Sequence, residues 1–201
     1  ARQAEAAVAR GEVWGPLHGV PFTAKDSFDV GGLRTTRGSN FFKDFKPVTD
    51  AAAIARLKQA GAIFIGHTNV PEFVFWFETD NSVFGRTQNP WLLSRTSGGS
   101  SGGEASAIAA GLSPLGLGSD LACSIRQPAS LCGIYGLKPT HGRVPLTGHW
   151  PDALLPYMHA GPMARNVEDI ALALSVMSGP DGIDPHAVPV APPRPEDVNG
   201  D

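Results

Sequence analysis

The sequence predicts an α/β fold in which helices alternate with short buried strands. Two passages carry this reading. An amphipathic run at 50–60 closes at Gly61 and leads directly into the apolar AIFIGHT of 62–68. A small-residue run at 101–110 closes at Gly111 and leads into PLGLGSD at 114–120. The composition is consistent with both, since 42% apolar and 17% charged residues can fill a real core.

In chain order, residues 3–10 read as a helix, and the turn-rich GPLHG precedes an extended apolar segment at 20–25. Thr49 is the expected N-cap of the 50–60 helix. Apolar and aromatic density at 70–77 predicts a further helix with Pro71 in its first turn. Core packing is the expected role of its Phe73, Phe75, Trp76 and Phe77, with a substrate wall as the alternative. After the strand at 114–120, a short helix is expected at 124–131, then a strand in GIYGLK at 133–138. Asn166 or its neighbour starts a last helix that runs through Ser178. No internal repeat is visible, and the biased PVAPPRP marks 186–201 as a proline-rich tail or linker after a single unit at 1–185.

Composition excludes several functions. A net charge of −3, with Lys and Arg scattered, offers no footprint for nucleic acid or an anionic membrane surface. No apolar stretch approaches the roughly 18 to 20 residues of a membrane span, and the opening residues do not lead one to expect a signal peptide. Cys123 and Cys132 are too few for a disulfide framework, so a reducing cytoplasm is the expected location. A small molecule is the expected partner, and nothing in the sequence speaks against a homo-oligomer.

Candidate chemistry gathers in three separated segments. The stretch GGSSGG at 98–103 fits G-x-S-x-G with Ser101 as a nucleophile elbow, yet the turn-like NPWLLSRTSGG before it lacks the strand an elbow requires. The partner histidine is also unmarked, since His141, His149, His159 and His186 all lie in loop-like surroundings. P-loop and dinucleotide fingerprints fail, as do the spacings of metal ligands, so neither a cofactor nor a metal is expected. Lys25 follows the apolar VPFTA run, and burial would lower its pKa and make it a base, unless it snorkels and pairs with Asp26. Ser124 lies between a Gly-rich strand end and a short helix, where the N–H groups of Leu121, Ala122, Cys123 and Ser124 would converge on an oxyanion, or where a serine merely caps a tight turn.

Taken together, GGSSGGEASAIAAGLSPLGLGSDLACSIRQPASLCGIYGLKPT closely resembles the signature region of the amidase signature family of serine hydrolases. PLHGVPFTAKD, TDNSVFGRTQNP and GPMARNVEDIALAL are also similar to that family's segments, so the resemblance covers roughly residues 10–185. It implies a mixed β-sheet core flanked by α-helices, of which this chain holds the N-terminal and central part. It further implies a Ser, cis-Ser, Lys triad, in which Lys25 is the base, Ser100 carries the cis peptide bond and relays the proton, and Ser124 attacks. The N–H groups of Leu121, Ala122, Cys123 and Ser124 would form the oxyanion hole, with Ser101, Asp120 and Arg126 in support. The implied activity is hydrolysis of a small-molecule amide to a carboxylate and ammonia or an amine, with no metal. The amidase subunit of a tRNA-dependent amidotransferase and a non-catalytic amide-binding relative are the alternatives. One departure stands out: the family commonly has Gly-Gly before the nucleophile and this chain has Ala122-Cys123, which is tolerable only where neither residue needs a positive φ.

Overall fold

A computed structural model describes residues 1–189 and 191, so most of the proline-rich segment assigned to 186–201 lies outside the described residues. The strands are β1 (Pro21–Lys25), β2 (Ile63–Thr68), β3 (Leu115–Asp120), β4 (Tyr135–Gly136) and β5 (His159–Ala164). They form one five-stranded sheet in the order β2-β1-β3-β5-β4. β1 runs parallel to β2 and β3, whereas β5 runs antiparallel to β3 and β4, so the sheet is mixed as expected. Because β1 and β3 point the same way, their carboxyl ends emerge side by side at one edge of the sheet. Ligand crevices of open α/β sheets lie at such edges.

Helices cover the sheet: α1 (Arg2–Ala9), α2 (Ala52–Gln59), α3 (Gly102–Ala109), α4 (Arg126–Cys132) and α5 (Val167–Met177). The larger apolar core joins Phe22 of β1 and Leu117 of β3 to Ile54 and Leu57 of α2 and Met177 of α5. A smaller one joins Ala105 and Ile108 of α3 to Ile125, Ala129 of α4 and Met163 of β5. Each fully buried large apolar side chain contributes about 1.5 to 3 kcal/mol. α3 approaches its neighbours closely because its first turn is built of glycine; a Cβ on Gly103 would collide with the backbone of Asn69. α5 starts as the sequence predicts, with the side chain of Asn166 accepting the Asp169 N–H at 2.8 Å.

Four local expectations are corrected. The 70–77 helix is a single 3-10 turn, Glu72–Val74, in which Phe73 and Val74 have φ of 54° and 57°. Its aromatics are exposed rather than in the core, with Trp76 68% accessible. Thr49 does not cap α2, whose N-cap is Ala51 without a side-chain bond. The 133–138 strand shrinks to Tyr135–Gly136. Strand β5 was not among the expected elements; it contains Gly161 and Pro162, and glycine is required there, since a Cβ at Gly161 would meet the Leu137 carbonyl.

Candidate active site

Lys25 is the last residue of β1 and is 1% exposed. Its Nζ donates to Ser100 Oγ at 2.6 Å, to Ser119 Oγ at 3.0 Å and to the Ser119 carbonyl at 3.3 Å. Burial pushes its pKa down to about 7, against the pull of the Asp120 and Glu104 carboxylates. The snorkelling alternative is not what forms. Asp26 turns the other way, accepts the Thr36 N–H at 3.0 and 3.1 Å together with the Thr36 hydroxyl, and lies 3.6 Å from His67 Nδ1.

Ser100 follows a cis peptide bond from Gly99. The turn is wedged against the chain at 76–78, where a Cβ on Gly99 would stand 2.8 Å from the Trp76 carbonyl and 2.9 Å from the Glu78 nitrogen. Ser101 is wholly buried; its Oγ donates to the Ser119 carbonyl at 3.2 Å and its N–H to the Ser124 carbonyl at 3.1 Å. A hydroxyl so enclosed cannot be the exposed nucleophile of an elbow. It ties the glycine-rich turn to β3 and to the loop that follows.

Ser124 sits in that loop, 8% exposed, and shares with Lys25, Ser100 and Ser119 a cavity of about 150 Å³. Among the described residues its Oγ forms no hydrogen bond. Nor do the N–H groups of Leu121, Ala122, Cys123 and Ser124 donate to any protein acceptor there. Four consecutive unpaired donors beside a cavity can hold an anion. Neither Ala122 nor Cys123 has a positive φ, so the loop accommodates both side chains without backbone strain. The Cys123 thiol is raised by burial and by Asp120, which disfavours its thiolate.

Asp120 anchors the loop from the end of β3. Its fully buried carboxylate accepts the N–H groups of Ile125 and Arg126 at 3.0 and 3.3 Å and the Arg126 guanidinium at 2.9 and 3.0 Å. Burial raises its pKa, but these bonds outweigh burial and hold it below the usual carboxylate range.

Two participants escaped the sequence reading. Ser119 supplies two of the three bonds that hold the lysine. Glu104 lies wholly buried in the first turn of α3, where it accepts the Thr68 hydroxyl at 2.6 Å and the Thr23 hydroxyl, and burial raises its pKa to about 7. A single carboxylate inside GGEASAIAA was the available signal for it; nothing distinguished Ser119 from its neighbours. Among the described residues no cluster of His, Cys, Asp and Glu is placed to hold a metal ion, and no helix is long and apolar enough to cross a membrane.

The arrangement sets the protein among α/β proteins whose polar centre is built from lysine and serine without histidine. Comparison with known proteins narrows the class: the chain belongs to the Amidase family, whose profile matches residues 1–200. It is 49% identical over 188 residues to the A-subunit of the glutamyl-tRNA(Gln) amidotransferase of Roseiflexus castenholzii, covering 92% of this chain and 37% of that protein. It is also 49% identical over 178 residues to AtzE, the 1-carboxybiuret hydrolase subunit of Pseudomonas sp. strain ADP, covering 88% of this chain and 39% of that one. The X-ray structure of native peptide amidase from Stenotrophomonas maltophilia superposes with a TM-score of 0.87 at 36% identity, over 92% of this chain and 39% of that chain. The chain thus spans about two fifths of the length of the relatives it matches.

Proposed function

We propose that residues 1–185 form the N-terminal and central part of a catalytic domain that hydrolyses the C–N bond of a small-molecule amide, with Ser124 as nucleophile, Ser100 as relay and Lys25 as base. The observation that carries this reading is the 2.6 Å contact of Lys25 Nζ with Ser100 Oγ in a wall of the cavity that Ser124 also lines. A lysine with a pKa of about 7 is about half neutral at neutral pH and largely neutral above it. A neutral amine has two hydrogens and one lone pair. The Ser119 carbonyl and hydroxyl take the hydrogens, which leaves the lone pair for the proton of Ser100.

Lys25 then accepts the Ser100 proton while Ser100 accepts that of Ser124, and Ser124 Oγ attacks the amide carbon. The oxyanion that forms is met by the N–H groups of residues 121–124, each typically worth about 2.7 to 4 kcal/mol of barrier. As the tetrahedral centre collapses, the C–N bond breaks and the Lys25 ammonium returns its proton through Ser100 to the leaving nitrogen. Water, deprotonated along the same relay, attacks the acyl-enzyme and releases the carboxylate and free Ser124. The free thiols of Cys123 and Cys132 fit a reducing compartment such as the cytoplasm.

The test is mapping of a fluorophosphonate adduct by peptide mass near pH 8. The adduct is expected on Ser124, to be lost in Lys25→Ala and kept in Ser101→Ala; an adduct on Ser101 refutes the triad. A second reading, favoured by the 49% identity to a component of an amidotransferase, is a glutaminase working within a larger complex. Glutamine hydrolysis that rises on addition of partner subunits distinguishes it.

A further inference from the structure

Resting on that reading of the site, we infer that Gln127 is a positioning residue: through the N–H of Gly99 it sets Ser100 where that serine reaches both Lys25 and Ser124. Gln127 Oε1 accepts the Gly99 N–H at 3.0 Å. Its own N–H donates to the Cys123 carbonyl at 2.8 Å. One residue thus bonds, with its side chain, the residue before the relay serine and, with its backbone, the residue before the nucleophile.

The turn at 98–102 holds three glycines and two serines, so most of its anchors come from outside. Thr79 clamps its ends, since its hydroxyl donates to the Gly98 carbonyl at 2.8 Å and accepts the Gly102 N–H at 3.1 Å. Ser101 ties the far side of the relay serine to Ser119 and Ser124. On the near side, Gln127 is the one acceptor of the Gly99 N–H among the described residues. Gly99 is buried, and a buried N–H left without an acceptor is costly, so loss of the Gln127 oxygen forces the turn to move.

The platform that carries Gln127 is fixed at both ends. Asp120 accepts the N–H groups of Ile125 and Arg126 where α4 begins. At its other end the Asn89 side chain donates to the Leu131 carbonyl at 2.8 Å and the Trp91 indole to the Cys132 carbonyl at 2.7 Å. The turn packs directly on this helix, where a Cβ on Gly98 would stand 2.9 Å from Pro128 Cα. An acceptor on so rigid an element keeps its place, which a proton relay needs, because a displacement of about 1 Å can cost on the order of 10²-fold in rate. Gln127 does not line the cavity shared by Lys25, Ser100 and Ser124, so its effect passes through the turn.

The test is a double-mutant cycle read by the rate at which a fluorophosphonate labels Ser124 in the full-length protein. Gln127→Met keeps the length of the side chain and removes the acceptor; it is expected to slow labelling by about tenfold or more. Gln127→Glu keeps an acceptor oxygen and is expected to stay within about threefold of wild type. In a Ser100→Ala background, where no relay is left to position, Gln127→Met is expected to change the rate by less than about twofold. Gln127→Leu, which also lacks an acceptor, takes the place of the methionine variant should that one fail to fold. Equal slowing in both backgrounds, or a glutamate variant as slow as the methionine one, overturns the inference. The underlying reading fails by a different result: if Ser100→Ala alone is labelled at the wild-type rate, there is no relay, and the inference falls with it.

Discussion

The ε-amino group of Lys25 and the hydroxyl of Ser100 lie 2.6 Å apart, although 75 positions separate them in the chain. Removing the amine while keeping the length of the side chain isolates its chemistry. Lys25→Met is expected to lower kcat by about 10²- to 10⁴-fold, the range of a general base, with an unchanged circular-dichroism spectrum. An activity within threefold of wild type sinks the assignment.

The same lysine makes stability depend on pH. Its pKa falls from 10.5 to about 7 on folding, so between those values the unfolded chain holds a proton that the folded one lacks. Stability therefore rises with pH across that window. Relative to Lys25→Met, the wild type should gain about 1.4 kcal/mol per pH unit from pH 7 to pH 10 and then level off. Denaturant midpoints of both proteins across this range check the slope. Activity should share the lower bound, with an acid limb near pH 7.

Glu104 offers a way to move that limb. Its carboxylate raises the lysine's pKa, so Glu104→Gln, which keeps the shape and removes the charge, should shift the acid limb of kcat/KM to lower pH. The rate on the high-pH plateau should stay within a few fold. Glu104→Ala should behave differently, costing about 2 to 4 kcal/mol in urea melts because it opens a cavity and strands the hydroxyls of Thr23 and Thr68.

Arg126 tests the anchoring of the loop at 121–125. Its guanidinium is half exposed, whereas the carboxylate it holds is fully buried. Arg126→Ala leaves Asp120 its two backbone donors and removes the other two, for an expected loss of about 1 to 2 kcal/mol of stability after allowance for solvent screening. If the loop cradles the oxyanion, kcat should fall more than KM rises. Steady-state kinetics on a soluble amide measure that split.

Two glycines give a contrast in packing. At Gly103 a methyl group meets the Asn69 backbone, which cannot swing aside, and Gly103→Ala should abolish soluble expression or cost more than about 3 kcal/mol. At Gly111 φ is +76° but nothing lies within 4 Å, so Gly111→Ala should cost only the roughly 1 to 2 kcal/mol of left-handed backbone. Thermal melts of the pair distinguish close contact from backbone strain.

The sequence reading succeeded where local chemistry and final packing agree. α2, β2, α3 and β3 follow from periodicity closed by glycine, and α5 from Asn166. It failed where long-range pairing overrides local preference. Gly161 and Pro162 look like breakers and sit in a strand because β3 pairs with them. The aromatics at 75–77 look like core and instead line an opening, since hydrophobicity without helical period does not tell a pocket wall from an interior. In the candidate site, Lys25, Ser100 and Ser124, which line one cavity, were singled out because each belongs to a long sequence pattern. Ser119 was not, because its part is set only by strand register.

The parallel pairing of β1 with β3 carries a further implication. Lys25 lies 75 positions from Ser100 and 94 from Ser119, so no short segment holds both β1 and the elements that its lysine must meet. Closing such distant pairings is a slow, late event in folding, since the loop entropy must be met before the contacts form. A half-folded chain, even one rich in helix, would carry no working centre. Turnover therefore reports completion of the sheet more stringently than any spectroscopic measure of helix content, and during refolding it should appear after the helical signal has already saturated.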